Sequence, residues 1–254
     1  MIKLTLLASL LASCLMVIAA DSANAPVYEM RVYYAPEGKL DDLHARFRDH
    51  TARLFEKHGI ENVAYFVPEG ANPENKLVYF LSYPSREARE KSWKAFFADP
   101  EWQKAARESE KDGPIVIGRR IESIFLTPTD YSPTLKIEKK GNRIVELRTY
   151  TTPEGKLDDL HARFRDHTME LFKKHGMDNL IYWTKMPGQK DADTTLIYLL
   201  AHDSRDARNK SFDSFRKDPD WIKAKTESEK NGSLTVPNGV KSEILVPTDY
   251  SPFK

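Results

Sequence analysis

Only one cysteine, Cys14, occurs among the 254 residues. The chain therefore closes no disulfide of its own, and neither a C-x-x-C-H haem attachment nor a cysteine zinc set can be written into it. Surplus charge is missing as well. Lys and Arg number 39 against 38 Asp and Glu, spread along the chain, so no field exists to draw nucleic acid or an anionic membrane, and nucleic acid drops out as a partner. Beyond Ala20 no apolar run approaches the roughly 20 residues of a bilayer span. The chain also contains no G-x-G-x-x-G, G-x-x-x-x-G-K-[ST], G-x-S-x-G or H-E-x-x-H, which removes the common dinucleotide, phosphate, serine-hydrolase and zinc-protease chemistries. No cofactor and no metal are expected. With 40% hydrophobic and 30% charged residues, the composition is that of a folded chain with one large or two small cores.

What is present begins with MIKLTLLASLLASCLMVIAADSANA: one lysine, an apolar run from Leu4 to Ala20, then small residues. This is the build of a secretory signal peptide over residues 1–25, cut after Ala19, Ala20 or Ala25, and it predicts an exported chain, periplasmic or secreted. Cys14 has two readings. It is a passive apolar residue lost with the leader, or it is the lipidated cysteine of a membrane-anchored bacterial lipoprotein, which Leu11-Ala12-Ser13-Cys14 would fit. The first is preferred, because Leu15–Ala20 stays apolar after the cysteine.

The dominant feature is a duplication. PEGKLDDLHARFRDHT occurs at Pro36–Thr51 and again, letter for letter, at Pro153–Thr168. Each copy reads as one string of elements. Val27–Tyr34 alternates and is rich in β-branched and aromatic residues, predicting a strand. Lys39–His58 carries Leu40, Leu43, Phe47 and Leu54 at helical spacing, acidic residues in its first turn and Gly59 at its end. Asn62–Val67 and Leu77–Tyr83 read as strands across the turn PEGANPEN. Ser85–Phe97 and Glu101–Lys111 read as helices split at Asp99-Pro100, and Ile121–Leu126 as a closing strand. The second copy repeats these elements from Val145, with a longer middle hairpin, and Pro128-Thr-Asp-Tyr-Ser-Pro133 recurs as Pro247-Thr-Asp-Tyr-Ser-Pro252. The order β-α-β-β-α-β is ferredoxin-like. The domains are expected at 26–133 and 143–254, joined by a polar linker at 134–142.

YEMRVY, PEGKLDDL, the Lys-His-Gly end of the first helix, LSYPSREARE, FFADPEW and PTDYSP, with their counterparts in the same order in the second copy, resemble the NIPSNAP domain. The resemblance implies an α+β fold of the dimeric α+β barrel type, in which two ferredoxin-like βαββαβ units set their sheets face to face with helices outside. Here both units lie in one chain, so the pair is an intramolecular pseudo-dimer, with further homo-oligomerisation left open.

Six of the seven histidines lie in the repeated helix. At about 100° per residue, His58 falls close to the apolar stripe, His50 to one side and His44 to the other, so all three are expected at or beside the sheet. His50 and His167 are then either histidines at the core edge or polar groups in a small-molecule pocket between helix and sheet. His44 and His50, six apart, do not converge as an i,i+4 metal pair would. On the first strand Glu29, Arg31 and Tyr33 share a face, matched by Glu146, Arg148 and Tyr150. If the other face packs on the helices, this one looks between the two sheets, as a register-fixing ion-pair network or as an anion-binding or acid/base set. Tyr65 and Tyr182 recur as sheet packing or pocket lining, and Trp102 and Trp221 as helix anchors. Two classes of function stay open: a module binding a small molecule or a protein partner, or a cofactor-independent oxygenase or isomerase using a pocket histidine.

Overall fold

The computed structural model describes residues 26–138, 140–141 and 143–253. The leader with Cys14, and with it the signal-peptide and lipidation readings, lies outside them. Among the described residues no helix is long and apolar enough to cross a membrane.

The first repeat runs β1 (Val27–Tyr34), α1 (Leu40–Arg46), α2 (Ala52–Lys57), β2 (Glu61–Pro68), β3 (Lys76–Tyr83), α3 (Arg86–Ala98), α4 (Pro100–Ser109) and β4 (Glu122–Pro128). The second runs β5 (Ile144–Thr151), α5 (Leu157–Arg163), α6 (Met169–Lys174), β6 (Asp178–Lys185), β7 (Thr195–His202), α7 (Arg205–Lys217), α8 (Pro219–Ser228) and β8 (Val240–Pro247). Side-chain caps start the later helices. Ser85 accepts from the Ala88 amide, and Asp99, ahead of Pro100, accepts from the Glu101 amide; Ser204 and Asp218 do the same in the second copy.

Among the described residues, eight strands close into one barrel in the order β1-β3-β2-β8-β5-β7-β6-β4. Within the first repeat β1 and β3 lie at the centre, with β4 beside β1 and β2 beside β3, and the second repeat follows the same order. Between repeats β2 pairs with β8 and β4 with β6, so each sheet's two edges are covered by the other. The interior is filled with apolar side chains from both copies, among them Met30, Val32, Phe66, Phe80, Leu147 and Trp183. The Phe80 and Trp183 rings stack across it, centroids 5.2 Å apart. Outside, each repeat has its own helix-to-sheet core, one around Phe47, Tyr65, Tyr79 and Phe96, the other around Phe164, Tyr182, Tyr198 and Phe215. Leu135, in the stretch between the repeats, packs on the barrel core. In the longer second hairpin, Gln189 exchanges side-chain hydrogen bonds with the Phe125 backbone, accepting at 2.9 Å and donating at 2.6 Å, and so ties that insertion to β4 of the first copy.

The expected Lys39–His58 helix differs in one respect. Between α1 and α2, residues Phe47–Thr51 form a π turn, and Phe164–Thr168 do so between α5 and α6. The wider turn takes one residue more than an α turn and leaves a carbonyl unpaired. Thr51 fills that gap, its hydroxyl donating to the Arg46 carbonyl at 3.1 Å, and Thr168 does the same for Arg163.

Candidate functional site

The extra residue decides where the repeated histidines go. Thr51, and not His50, takes the buried position after Phe47, and Leu54 and Phe55 follow it into the core. His50 is turned outward, half-exposed, and His167 is exposed. The expectation of a pocket between helix and sheet is therefore corrected. His50 opens instead onto a surface groove of about 230 Å3 between the π-turn helix and α4, lined also by Lys39, Asp42, Asp49, Glu108 and Ser109. His167 opens onto an equivalent groove of about 330 Å3, with Lys156, Asp159, Asp166, Glu227 and Ser228. Every lining position of one groove has the same residue in the other, save Asp112, which Asn231 replaces. Arg46 and Arg163 form the floor. Each is buried, donates to Glu110 or Glu229 at 2.7 and 2.8 Å, and lies over the ring of Trp102 or Trp221 at 5.2 and 5.3 Å. Tyr65 and Tyr182 do not reach the grooves. They are fully buried against the sheet, their hydroxyls donating to Asn62 and Asn179.

The charged face of β1 is also placed differently from the expectation. Met30 and Val32 enter the barrel, while Glu29 and Arg31 lie under α3. The barrel interior offers a charge neither water nor partners, whereas the helix layer brings a second arginine and several hydroxyls, so burial of the pair is affordable only there. Arg31 pairs with Glu29, donates to the Tyr79 hydroxyl at 2.8 Å and to Tyr33 at 3.3 Å, and stands 4.7 Å over the Trp93 ring. Glu29 further accepts from Arg89 at 3.0 and 3.1 Å, from Tyr83 at 2.9 Å and from Ser123 at 2.7 Å. Burial opposes ionisation of Glu29, but the Arg89 hydrogen bonds and the Arg31 charge outweigh it and bring its pKa to about 2. Glu146 repeats the arrangement with Arg148 at 2.5 Å and Arg208 at 2.7 and 3.0 Å. Both carboxylates are saturated with donors, which suits anchoring α3 and α7 to the sheet.

Two features went unassigned in the sequence although their residues were in view. The repeated PTDYSP segments cross over. Tyr250 of the second copy meets His44 of the first, hydroxyl to Nδ1 at 2.8 Å, while Asp249 takes two bonds from Arg48 at 2.6 and 2.8 Å. Tyr131 meets His161 at 2.7 Å, and Asp130 takes Arg165 at 2.8 and 2.9 Å. Ser251 and Ser132 accept from the amides of Tyr65 and Tyr182, both at 3.0 Å, extending each clasp along the opposite repeat's sheet. The duplication of the hexapeptide was the available signal. Its crossing is a matter of tertiary placement. His58 and His175, expected near the apolar stripe, each bond the capping aspartate of the following helix pair, Asp99 and Asp218, at 2.7 Å.

A family model for NIPSNAP matches residues 28–133 and again residues 145–252. The chain belongs to the NIPSNAP family. No curated protein matches it. Among solved structures, this NIPSNAP chain is similar to a monooxygenase-like protein from Fusobacterium nucleatum (12% identity, TM-score 0.59, covering 88% of this chain and 93% of that one). A monooxygenase-like protein from Lactobacillus acidophilus gives 13% identity, TM-score 0.53, and coverage of 88% and 94%. An uncharacterised NIPSNAP-like domain protein from Burkholderia xenovorans aligns at 22% identity and TM-score 0.38 over 44% of this chain and 93% of its own. The likeness to the two monooxygenase-like proteins speaks for the fold alone: a barrel of the dimeric α+β type, built here from two NIPSNAP repeats.

Among the buried positions where the NIPSNAP repeats differ, one adjoins the carboxylate of the first strand. Where the first has Tyr83, bonded by the Trp93 indole at 2.8 Å, the second has His202, with Phe212 in place of the tryptophan. His202 is buried, its Nε2 lying 3.2 Å from a Glu146 carboxylate oxygen. The contact is close enough for an ion pair, yet neither ring nitrogen meets hydrogen-bond geometry.

Proposed function

We propose that this protein is an exported NIPSNAP binding module with two equivalent sites, the grooves that hold His50 and His167. The observation that carries the reading is unequal divergence. The helices around the grooves have drifted: Gln103, Ala106 and Arg107 of α4 correspond to Ile222, Lys225 and Thr226, and Lys94 and Phe97 of α3 to Asp213 and Arg216. On the α4 side of the groove Ala105, Glu108, Ser109 and Lys111 have not, and Asp112 alone is replaced, by Asn231, although a solvent-facing surface is where drift costs least. A filled barrel interior supports the same reading, since a ligand has to sit on the outside.

Native mass spectrometry of the purified mature chain, searching for co-purified ligand, is the direct test, with two copies per chain expected. Replacing His50 and His167 together by Gln is expected to leave thermal unfolding nearly unchanged, within about 0.5 kcal/mol for surface positions, and to remove the ligand. Each single replacement should leave one copy. Loss of stability with the ligand retained would defeat the proposal.

The second reading, a cofactor-independent oxygenase or isomerase with a histidine as acid/base, has one observation on its side: the His202 ring beside the ionised Glu146. It places the ligand under α7, so His202→Gln, and not the groove substitutions, would release it.

A further inference from the structure

Each NIPSNAP repeat lends its PTDYSP tail to the other's helix, and both clasps hinge on a half-buried histidine facing a tyrosine hydroxyl. We propose that these two contacts are a proton-released latch: protonation of His44 and His161 loosens the tails at 129–133 and 248–253 and, with them, the helices that wall the grooves.

The partial burial of the two rings sets the sign. With its proton on Nε2, neutral His44 accepts the Tyr250 hydroxyl at Nδ1, and His161 accepts Tyr131 likewise. A protonated ring has only donors, so the hydrogen bond reverses, Nδ1–H donating to the phenol oxygen and the phenol turning its own proton away; what weakens the clasp is the charge that the ring then carries in a half-buried place. The surroundings favour the neutral ring. Around His44 stand Arg48 and Asp41 on its own helix, with Asp249 and Tyr250 on the tail. Burial comes first in holding its pKa below 6.5 and Arg48 second, against the opposing pull of Asp41 and Asp249. Around His161 stand Asp158 and Arg165, with Asp130 and Tyr131 across the clasp. Burial again leads, joined by Arg165, against Asp158 and Asp130. An opened histidine regains its ordinary value, so the open form takes up the proton first. The latch is complete above about pH 6.5 and weakens as the pH falls below it.

The link to the grooves is covalent. His44 and Arg48, which hold the tail, alternate along one helix with Asp42, Asp49 and His50, which line the groove. The tail also packs on that helix through Tyr250, whose ring stacks on Phe47 with centroids 6.3 Å apart. Opening the clasp therefore removes support from the groove wall. This last step rests on the binding-module reading, and the latch itself does not.

Hydrogen exchange by mass spectrometry on the full chain, corrected for the intrinsic pH dependence of exchange, separates the two. Exchange in segments 129–133 and 248–253, and at the amides of Tyr65 and Tyr182, is expected to rise severalfold between pH 7.5 and pH 5. His44→Gln with His161→Gln, which keeps an acceptor that does not titrate, should abolish that step. Tyr250→Phe with Tyr131→Phe keeps the ring packing and should raise exchange at both pH values. Segments that stay equally protected at pH 5, or a step that survives in the glutamine variant, would overturn the latch. A step in exchange with unchanged ligand retention at pH 5 would leave the latch standing and sink its coupling to the grooves.

Discussion

Glu29→Gln is expected to destabilise the protein by about 3–5 kcal/mol, the range for removing one member of a buried ion pair, and to cost more than Arg31→Met. The asymmetry follows from counting partners. Without the Glu29 charge, the buried Arg31 keeps only neutral partners, the hydroxyls of Tyr79 and Tyr33 and the Trp93 ring, and Arg89 keeps only the exposed Glu90. Without Arg31, Glu29 is still neutralised by Arg89 and still accepts from Tyr83 and Ser123. Arg31→Met should therefore cost about 1.5–3 kcal/mol, the worth of hydrogen bonds to a charged group. The double substitution should be milder than the sum, since each single change strands what the double change removes. Urea unfolding measures all three, and additive effects, or Arg31→Met exceeding Glu29→Gln, would contradict the network as described. The same order is expected for Glu146 and Arg148, with Arg208 in the place of Arg89. Acid gives an independent reading. Because Glu29 holds a pKa of about 2 against 4.5 when unfolded, its contribution is complete above 4.5 and is lost as the pH falls towards 2. Glu29→Gln should remove that part of the acid sensitivity.

The first repeat expressed alone, residues 26–133, is expected to form no stable monomer. Its sheet would expose Met30, Val32, Phe66, Phe80 and Leu126, all buried in the intact barrel, together with the free edges of β2 and β4 that β8 and β6 now cover. An apolar sheet face and two open edges of this kind must find cover. A second copy supplies it, with β2 against the partner's β4 and Tyr131 seated on the partner's His44 in the manner of Tyr250. Sedimentation equilibrium should show a homodimer or aggregate whose unfolding temperature rises with concentration, whereas the full chain should unfold independently of concentration. A soluble, folded monomer of the half chain would remove the fused-barrel account. The comparison also gives the physical point of the duplication: fusing the halves makes their pairing intramolecular and frees it from mass action.

Local chemistry determined much of this protein in its sequence. Alternation in Val27–Tyr34, the helical spacing of Leu40, Leu43 and Phe47, the Ser85 and Asp99 caps and the recurrence of the same string of elements are short-range signals, and they suffice for two βαββαβ units, while the face-to-face pairing was what the resemblance to the NIPSNAP domain implied. Which face of β1 turns inward was not legible. Alternation says that Glu29 and Arg31 share a face, but a strand held between a helix layer and a second sheet is buried on both sides, so polarity alone does not name the inner one. Only the position of Arg89 and Tyr83 on the helix side, set by the packing of α3, decides it. The histidines failed for a different reason. A constant angle per residue assumes a constant helix, and the one extra residue in the Phe47–Thr51 turn carries His50 away from the sheet and into the groove. The clasps were visible as a repeated hexapeptide without a role, because a segment that crosses to the other repeat has its partners more than two hundred residues away in the case of Tyr250 and His44, and no local pattern records a contact made only when the barrel closes.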